Sequence, residues 1–502
     1  MNDADRTSSR KRFSSWWWLV IVPGVYMLFV VVRLFGLFDT GPVIEIGPET
    51  TVLTGPVRED GSIDYPLALD AEFREGVTHE NNAAVLLVQA FGPEIFDNEV
   101  RQQSLDKLGF SDEPQFKPAF VEVSQYFEEQ DIEFDHEIEN DFVVKPWSRD
   151  QHAILAEWLV ANEDPLDLIV QASLRSRYYV PFVSSDPNGS LLEYMLPMEM
   201  STRSGVRALS KRAMLRLHEG EIDAAIADTQ AIFRLSRLMR DHPTLIGRLI
   251  AFAHNSVATE CLTQIVLSGG ASAAQMDAFA KSYRELEPFS PMSETINRTE
   301  RFMGLEMAQS LALQRMPQGV QVPAFALRAV NANVMMRVLN DAYDELLVAM
   351  QIDGFQARAQ ELDQIEQAWT NKASKTSMLS LMLGSRSAIS TSIANLLVSI
   401  TLPASTSISE SEFRMQFYDG SVHILIALGN YHAANSEFPD TLEDLVPSEL
   451  EAIPVDPFSE EPIHYELTPS GGFRLISSGV DGVIGSQNAD SDDVVLPESD
   501  ID

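Results

Sequence analysis

The stretch Ala208-Leu209-Ser210-Lys211-Arg212-Ala213-Met214-Leu215-Arg216-Leu217-His218-Glu219-Gly220-Glu221-Ile222-Asp223-Ala224-Ala225-Ile226-Ala227-Asp228 decides the fold. Apolar residues recur at helical spacing up to Leu217, stop at Gly220, and resume from Ile222. Glycine closes a helix because it enters the left-handed region without a Cβ penalty, and Glu221 and Asp223 suit the positive end of the next helix dipole. The pattern is a helical hairpin. The same texture extends outward, with helices expected over Lys117–Gln130, Ser148–Asn162, Pro165–Arg177, Glu221–Arg240, Thr244–Leu267, Ala273–Leu286, Ser293–Arg315, Ala326–Ile352, Phe355–Ala373 and Met378–Ile400. Upstream, Asn82 caps an apolar run that ends at Gly92-Pro93. Long helices with short joins make residues 81–411 an all-α body.

The hairpin resembles a single tetratricopeptide-type unit, whose alanines let two helices approach closely. Its period does not recur, and a solenoid needs about three or more units. An irregular helical bundle is therefore the expected form of this body, with a short solenoid as the alternative.

Composition bounds the rest. The chain has 502 residues, 36 Lys+Arg against 74 Asp+Glu, and a net charge of −38. The first 33 residues hold five cations and two acids, so the remainder carries 31 positive and 72 negative charges, or −41. Such a surface repels phosphate backbones, which excludes nucleic acid as a partner. Cys261 is the one cysteine, so no intrachain disulfide forms, and its apolar helical setting reads as a small core residue.

Residues 16–38 open on Trp16-Trp17-Trp18 and hold a single charge, Arg33, near one end. As a helix these 23 residues span about 34 Å, at roughly 1.5 Å per residue. Arg10, Lys11 and Arg12 precede the segment and Asp39 follows it, which puts residues 1–15 in the cytoplasm and the bulk of the chain outside. The expectation is a single-pass protein of the cytoplasmic membrane, with the lipid bilayer as one partner. The stretch Ser377–Leu402 contains Arg386 and several hydroxyl residues and reads instead as buried or amphipathic helix. Residues 39–80, punctuated by Gly41-Pro42, Gly47-Pro48, Gly55-Pro56 and Asp60-Gly61, read as an extended stalk.

From residue 412 the texture changes. Tyr418–Asn435 is expected as an amphipathic helix, prolines 447, 454, 457 and 462 forbid more helix, and His464–Leu467 and Phe473–Ser477 read as strands joined through Ser470-Gly471-Gly472. Residues 412–502 are thus a small α+β module. Ala427-Leu428-Gly429-Asn430-Tyr431-His432, Phe438-Pro439-Asp440-Thr441-Leu442, Ile453-Pro454-Val455-Asp456-Pro457-Phe458, Tyr465, Leu475-Ile476-Ser477-Ser478-Gly479-Val480-Asp481-Gly482 and Asp492-Asp493-Val494-Val495 follow one another in it. In that order they resemble the C-terminal domain of type II secretion major pseudopilins. A pseudopilin sets its membrane helix directly before this domain, whereas residues 39–411 separate the two here. A second resemblance runs along most of the chain. Asp64-Tyr65, residues 76–93, the Glu219–Ala225 hairpin, Pro243-Thr244-Leu245-Ile246 and the C-terminal module are similar, in the same order, to a large set of uncharacterised, membrane-anchored planctomycete proteins. That family brings no established activity.

The one ligand-like cluster is Asp481, Asp490, Asp492 and Asp493, in a loop with Gly482 and Gly485. Calcium needs about six to eight oxygens, and carboxylates with backbone carbonyls in such a loop could supply them. The pseudopilin resemblance implies a structural Ca²⁺ held by Asp481 and the Asp490–Asp493 group; a solvated acidic tail is the alternative. No His-x-x-x-His pair, Gly-x-Ser-x-Gly elbow or phosphate-cradling glycine loop occurs. With no catalytic constellation, the leading expectation is a membrane-anchored extracytoplasmic structural or protein-interaction protein with an unidentified protein partner. The alternatives are an envelope-associated hydrolase with a site in the helical domain, and an accessory component of a secretion or pilus-like machine.

Overall fold

The computed structural model describes residues 24, 43–110, 119–133, 144–184, 189–191, 197–315, 330–375, 385–401, 405–485 and 492–497. The expected cytoplasmic tail and, apart from residue 24, the expected membrane segment 16–38 lie outside the described residues, as does Asp490. Among the described residues no helix is long and apolar enough to cross a membrane.

The chain is mainly helical with a small three-stranded sheet. The first helices are α1 (Tyr65–Arg74), α2 (Ala83–Phe91), α3 (Arg101–Leu108), α4 (Val123–Glu129), α5 (Ala153–Ala161) and α6 (Glu163–Ser173). The long central ones are α7 (Pro197–His218), α8 (Ile222–Leu238), α9 (Leu245–Leu267) and α10 (Ala273–Arg284). A short α11 (Met292–Thr295) passes through a π-turn, Ile296–Glu300, into α12 (Arg301–Ala312). Then come α13 (Ala332–Ala349), α14 (Phe355–Ser374), α15 (Arg386–Thr401) and α16 (Ser405–Asn435).

The hairpin forms as its sequence dictates. Gly220 adopts φ +79° between α7 and α8, and Ala208, Ala213, Ala225 and Ala231 are wholly buried where the helices meet. A charge clamp adds to this packing. Arg212 donates to both carboxylate oxygens of Asp228, at 2.7 and 3.1 Å, and Arg216 adds a third contact at 2.6 Å. Arg212 also reaches Asp167 of α6 at 3.1 Å, tying the hairpin to the helix before it.

Two large apolar cores result, beside two small clusters at Met239, Ile250 and Ala251 and at Phe355, Phe413 and Phe458. One gathers α2 to α10 with the lower half of α16 and the sheet, and the other gathers α11 to α15 with Ile63, Tyr65 and Leu69. α9 and α16 belong to both. Phe252 and Met415 face the second core, while Ala258–Val266 and Phe417–Leu428 face the first. Buried ion pairs fasten α16 to its neighbours: Arg358 of α14 meets Glu412 at 2.8 Å, and Arg237 of α8 meets Asp419 at 2.6 Å. Residues about 180 apart in sequence are thereby joined.

Two expectations change. Over 43–80 the segment read as a stalk is packed against the body, with Thr50, Thr51, Ile63 and Tyr65 buried. Its glycines and prolines do break helix, but partners distant in sequence satisfy its backbone. Asn333 bonds Val43 O and Glu45 N, Asn340 donates to Thr50 O, and Gln309 accepts from Ile63 N, all within 2.8–2.9 Å. The boundary at residue 412 also falls inside one continuous helix, since α16 runs back to Ser405 and shares its apolar face with both cores.

The C-terminal sheet is antiparallel in the order β1 (His464–Leu467), β2 (Phe473–Ser477), β3 (Val494–Leu496), with Tyr465 opposite Leu475 and Leu475 opposite Leu496. Asp456 locks it. Its carboxylate, on a residue only 2% exposed, accepts from the Ser477 and Ser478 hydroxyls at 2.6 Å each, Ser478 N at 3.0 Å, and Ser459 Oγ at 2.9 Å. Burial pushes this carboxyl upward, yet those donors outweigh it and hold the group below the usual range.

Candidate functional site

The structure brings Asp481, Asp492 and Asp493 into one loop. Asp492 accepts from Asp481 N at 2.8 Å, Asp493 from Gly485 N at 2.9 Å, and Asp481 from Val483 N at 2.8 Å. Gly479 permits this closeness: it sits at φ +61°, and a Cβ there would overlap the Asp492 carbonyl. Each of these carboxylates thus holds a backbone donor, and among the described residues no three His, Cys, Asp or Glu side chains are grouped to hold a metal ion. Asp490, the fourth residue expected to ligate calcium, lies outside the described residues.

A different site emerges from tertiary packing. An open cleft of about 730 Å³ lies between the C-terminal end of α1, the segment after α6, the end of α8, the turn that joins α8 to α9, and the end of α10. Arg175, Arg177, Arg234, Arg237, Arg240 and Arg298 all line it. In so acidic a chain, cations would be expected to sit in ion pairs. Arg298 does, with Glu72 at 3.2 Å; Arg240 meets Asp241 at 2.9 Å and also Glu287. Among the described residues Arg175, Arg177 and Arg234 make no ion pair. Arg234 has only long contacts to Gln230 at 3.3 Å and Ser282 at 3.5 Å, and burial draws its pKa below the usual arginine value.

Arg237 is the deepest of the set, on a residue 6% exposed. Its Nη2 donates to Asp419 and, at 3.0 Å, to Tyr283 Oη. The Phe289 ring lies 4.2 Å from its guanidinium carbon, which holds the group by cation–π attraction. Nε and Nη1 have no hydrogen-bond partner. A buried donor left unmatched costs about 1–3 kcal/mol, so Arg237 holds two unspent donors beneath the cleft, closed to solvent.

His242 and Tyr178 also line the cleft, backed by Glu199, which is fully buried. Thr244 N donates to His242 Nδ1 at 3.2 Å, so that nitrogen is the acceptor and Nε2 carries the proton. Nε2 donates to Glu199 Oε1 at 2.8 Å, and Tyr178 Oη donates to the same oxygen at 3.0 Å. The ring lies so close to the start of α9 that a Cβ at Gly247 would overlap it. With both nitrogens engaged, His242 braces the turn between α8 and α9 and is not available as a base. Two other groups are closed to chemistry. Burial holds the Cys261 thiol up at about 12, beside Ser210 at 3.3 Å, and holds His254 down at about 3.

The spacing Arg234, Arg237, Arg240 at the end of one helix is the sequence signal that could have pointed here. Against known proteins, the chain matches no family model, no curated protein and no solved structure.

Proposed function

We propose that the chain is a membrane-anchored extracytoplasmic interaction protein, held by residues 16–38, whose arginine-lined cleft receives its partner. The observation that carries this reading is the cleft itself, where three arginines that make no ion pair among the described residues gather over Arg237 in a chain of net charge −38. Protein stability alone gives no reason to assemble unpaired cations, whereas binding an anionic group does.

The hydrolase alternative has less support. It needs a group positioned inside the cleft to move a proton; His242 is committed at both nitrogens, and the carboxylates of the lining stand exposed to solvent at its rim. The pseudopilin-like reading of the C-terminal module draws support from α16 and the antiparallel sheet sharing one apolar cluster, and from the Asp456 lock falling on residues that carry the resemblance. Calcium in the acidic loop belongs to that same reading.

Membrane attachment is tested by washing native membranes with alkaline carbonate. The full chain should stay with the pellet and a version beginning at residue 43 should be released. Release of the full chain by the wash would contradict the anchor.

A further inference from the structure

We infer that the cleft binds a small, soluble phosphate-bearing anion, with Arg237 at its floor and Arg234, Arg175 and Arg177 around it. The inference rests on the reading of this cleft as the receiving surface and names the ligand class.

Three observations support it. The first is the orphaned hydrogen-bonding capacity: Arg237 is 6% exposed, lines the cleft, and has Nε and Nη1 without partners. Its Nη2 and ring contacts hold the guanidinium in place below the cleft surface, so its positive charge is fixed beneath an incoming anion. The second is charge. Six guanidiniums line one cleft; Arg237, Arg240 and Arg298 form ion pairs, while Arg175, Arg177 and Arg234 have no carboxylate within ion-pair distance among the described residues. A phosphate monoester brings about −1.5 to −2 charges at neutral pH with three acceptor oxygens, which a single carboxylate cannot match. The third is size and rim. About 730 Å³ falls within the roughly 300–1,000 Å³ typical of small-molecule sites. The exposed carboxylates of Glu75, Glu285 and Glu287 also line the opening. They oppose an anionic membrane or an acidic protein face, while a small ligand can pass between them and offer its hydroxyls to them.

Titration calorimetry on the full chain in neutral detergent, at fixed ionic strength in chloride, tests this with inorganic phosphate, glycerol phosphate and citrate as probes. Phosphate and glycerol phosphate should bind. Arg234→Gln and the pair Arg175→Gln/Arg177→Gln should each weaken them by about tenfold or more, the loss of one charge-assisted hydrogen bond. Arg149→Gln, whose arginine pairs with Glu219 outside the cleft, should bind as the wild type does. Arg237→Lys guards against a folding failure, since it keeps a cation beside Asp419 yet should still lose affinity. Citrate binding tighter than phosphate, with the same arginine dependence, would overturn the ligand class and leave the cleft as the receiving surface. Phosphate binding that none of the arginine variants weakens would overturn the site. Binding of phosphatidic acid, added as a fourth probe in mixed micelles of the same detergent, without binding of glycerol phosphate would overturn the soluble ligand. No heat with any probe would overturn the inference outright.

Discussion

Replacing Asp419 by Ala separates the C-terminal helix from the body at its most heavily bonded point. Its Oδ1 accepts from Arg237 at 2.6 Å, Tyr283 at 3.0 Å and Asn255 at 3.1 Å, so α8, α9, α10 and α16 meet on one oxygen. The Arg237 side chain is 6% exposed and that of Asp419 28%. Removing one partner of a buried pair costs about 3–5 kcal/mol because the other charge is left unpaired. The partial exposure of Asp419 puts its ionic share near the lower end, and the acceptor lost to Tyr283 and Asn255 adds about 1 kcal/mol each. The expected loss is therefore about 4–5 kcal/mol. Asp419→Asn keeps an acceptor and loses only the charge, so it should cost about 2 kcal/mol. Urea unfolding of the full chain in detergent, followed by far-UV circular dichroism, measures both. The double variant Arg237→Met/Asp419→Ala should recover part of the loss, since no buried cation is then stranded. A cost below about 1 kcal/mol for Asp419→Ala would place the pair with ordinary surface bridges and refute the reasoning.

Other outcomes follow from single buried groups. Burial raises the Glu306 carboxyl to about 7 in spite of nearby Arg58, so the fold favours its protonated form. That contribution is whole below the ordinary carboxyl value and fades as pH rises toward 7; Glu306→Gln should therefore stabilise the chain at about pH 8, by up to roughly 3 kcal/mol, and do little at about pH 4. Thermal melting at the two pH values checks this, and no gain at the higher one would count against it. Asp456→Ala removes the acceptor for both Ser477 and Ser478, and should strip hydrogen-exchange protection from the Ser478 amide at a cost of about 3 kcal/mol or more. Unchanged protection would show that the lock is dispensable. If the acidic loop holds calcium, the full chain should melt higher with calcium than with chelator, by about 2.7 kcal/mol at 100-fold over the dissociation constant. Asp481→Ala should abolish that difference, and equal melting of the wild type in the two buffers would leave the loop as a solvated acidic segment.

What the sequence disclosed was local. The hairpin around Gly220 and the cap at Asn82, whose side chain accepts from Ala84 N, depend on neighbours within a few residues, and both could be read directly. The segment 43–64 could not be. Gly-Pro pairs announce a break in helix, but the asparagines that satisfy the backbone there lie about 290 residues away. The start of α16 was missed because Ser405–Ser411 is rich in hydroxyls that favour caps and turns, and only its packing against α14 and α9 makes it helical. The cleft was hidden for the same reason as the stalk packing. Arg177 and Arg234 line one surface although 57 residues separate them, so no spacing rule joins them. Charge composition even pointed the other way, since a strongly acidic total conceals a local cationic site.

The receiving role of the cleft is tested most directly by what the protein carries when taken from its own membranes. Wild type and the Arg175→Gln/Arg177→Gln variant, purified side by side and denatured, would release their bound small molecules for mass spectrometry. A phosphate-bearing compound should be enriched with the wild type and lost from the variant, while both proteins give the same circular dichroism spectrum. Identical small-molecule profiles from the two folded proteins would contradict it.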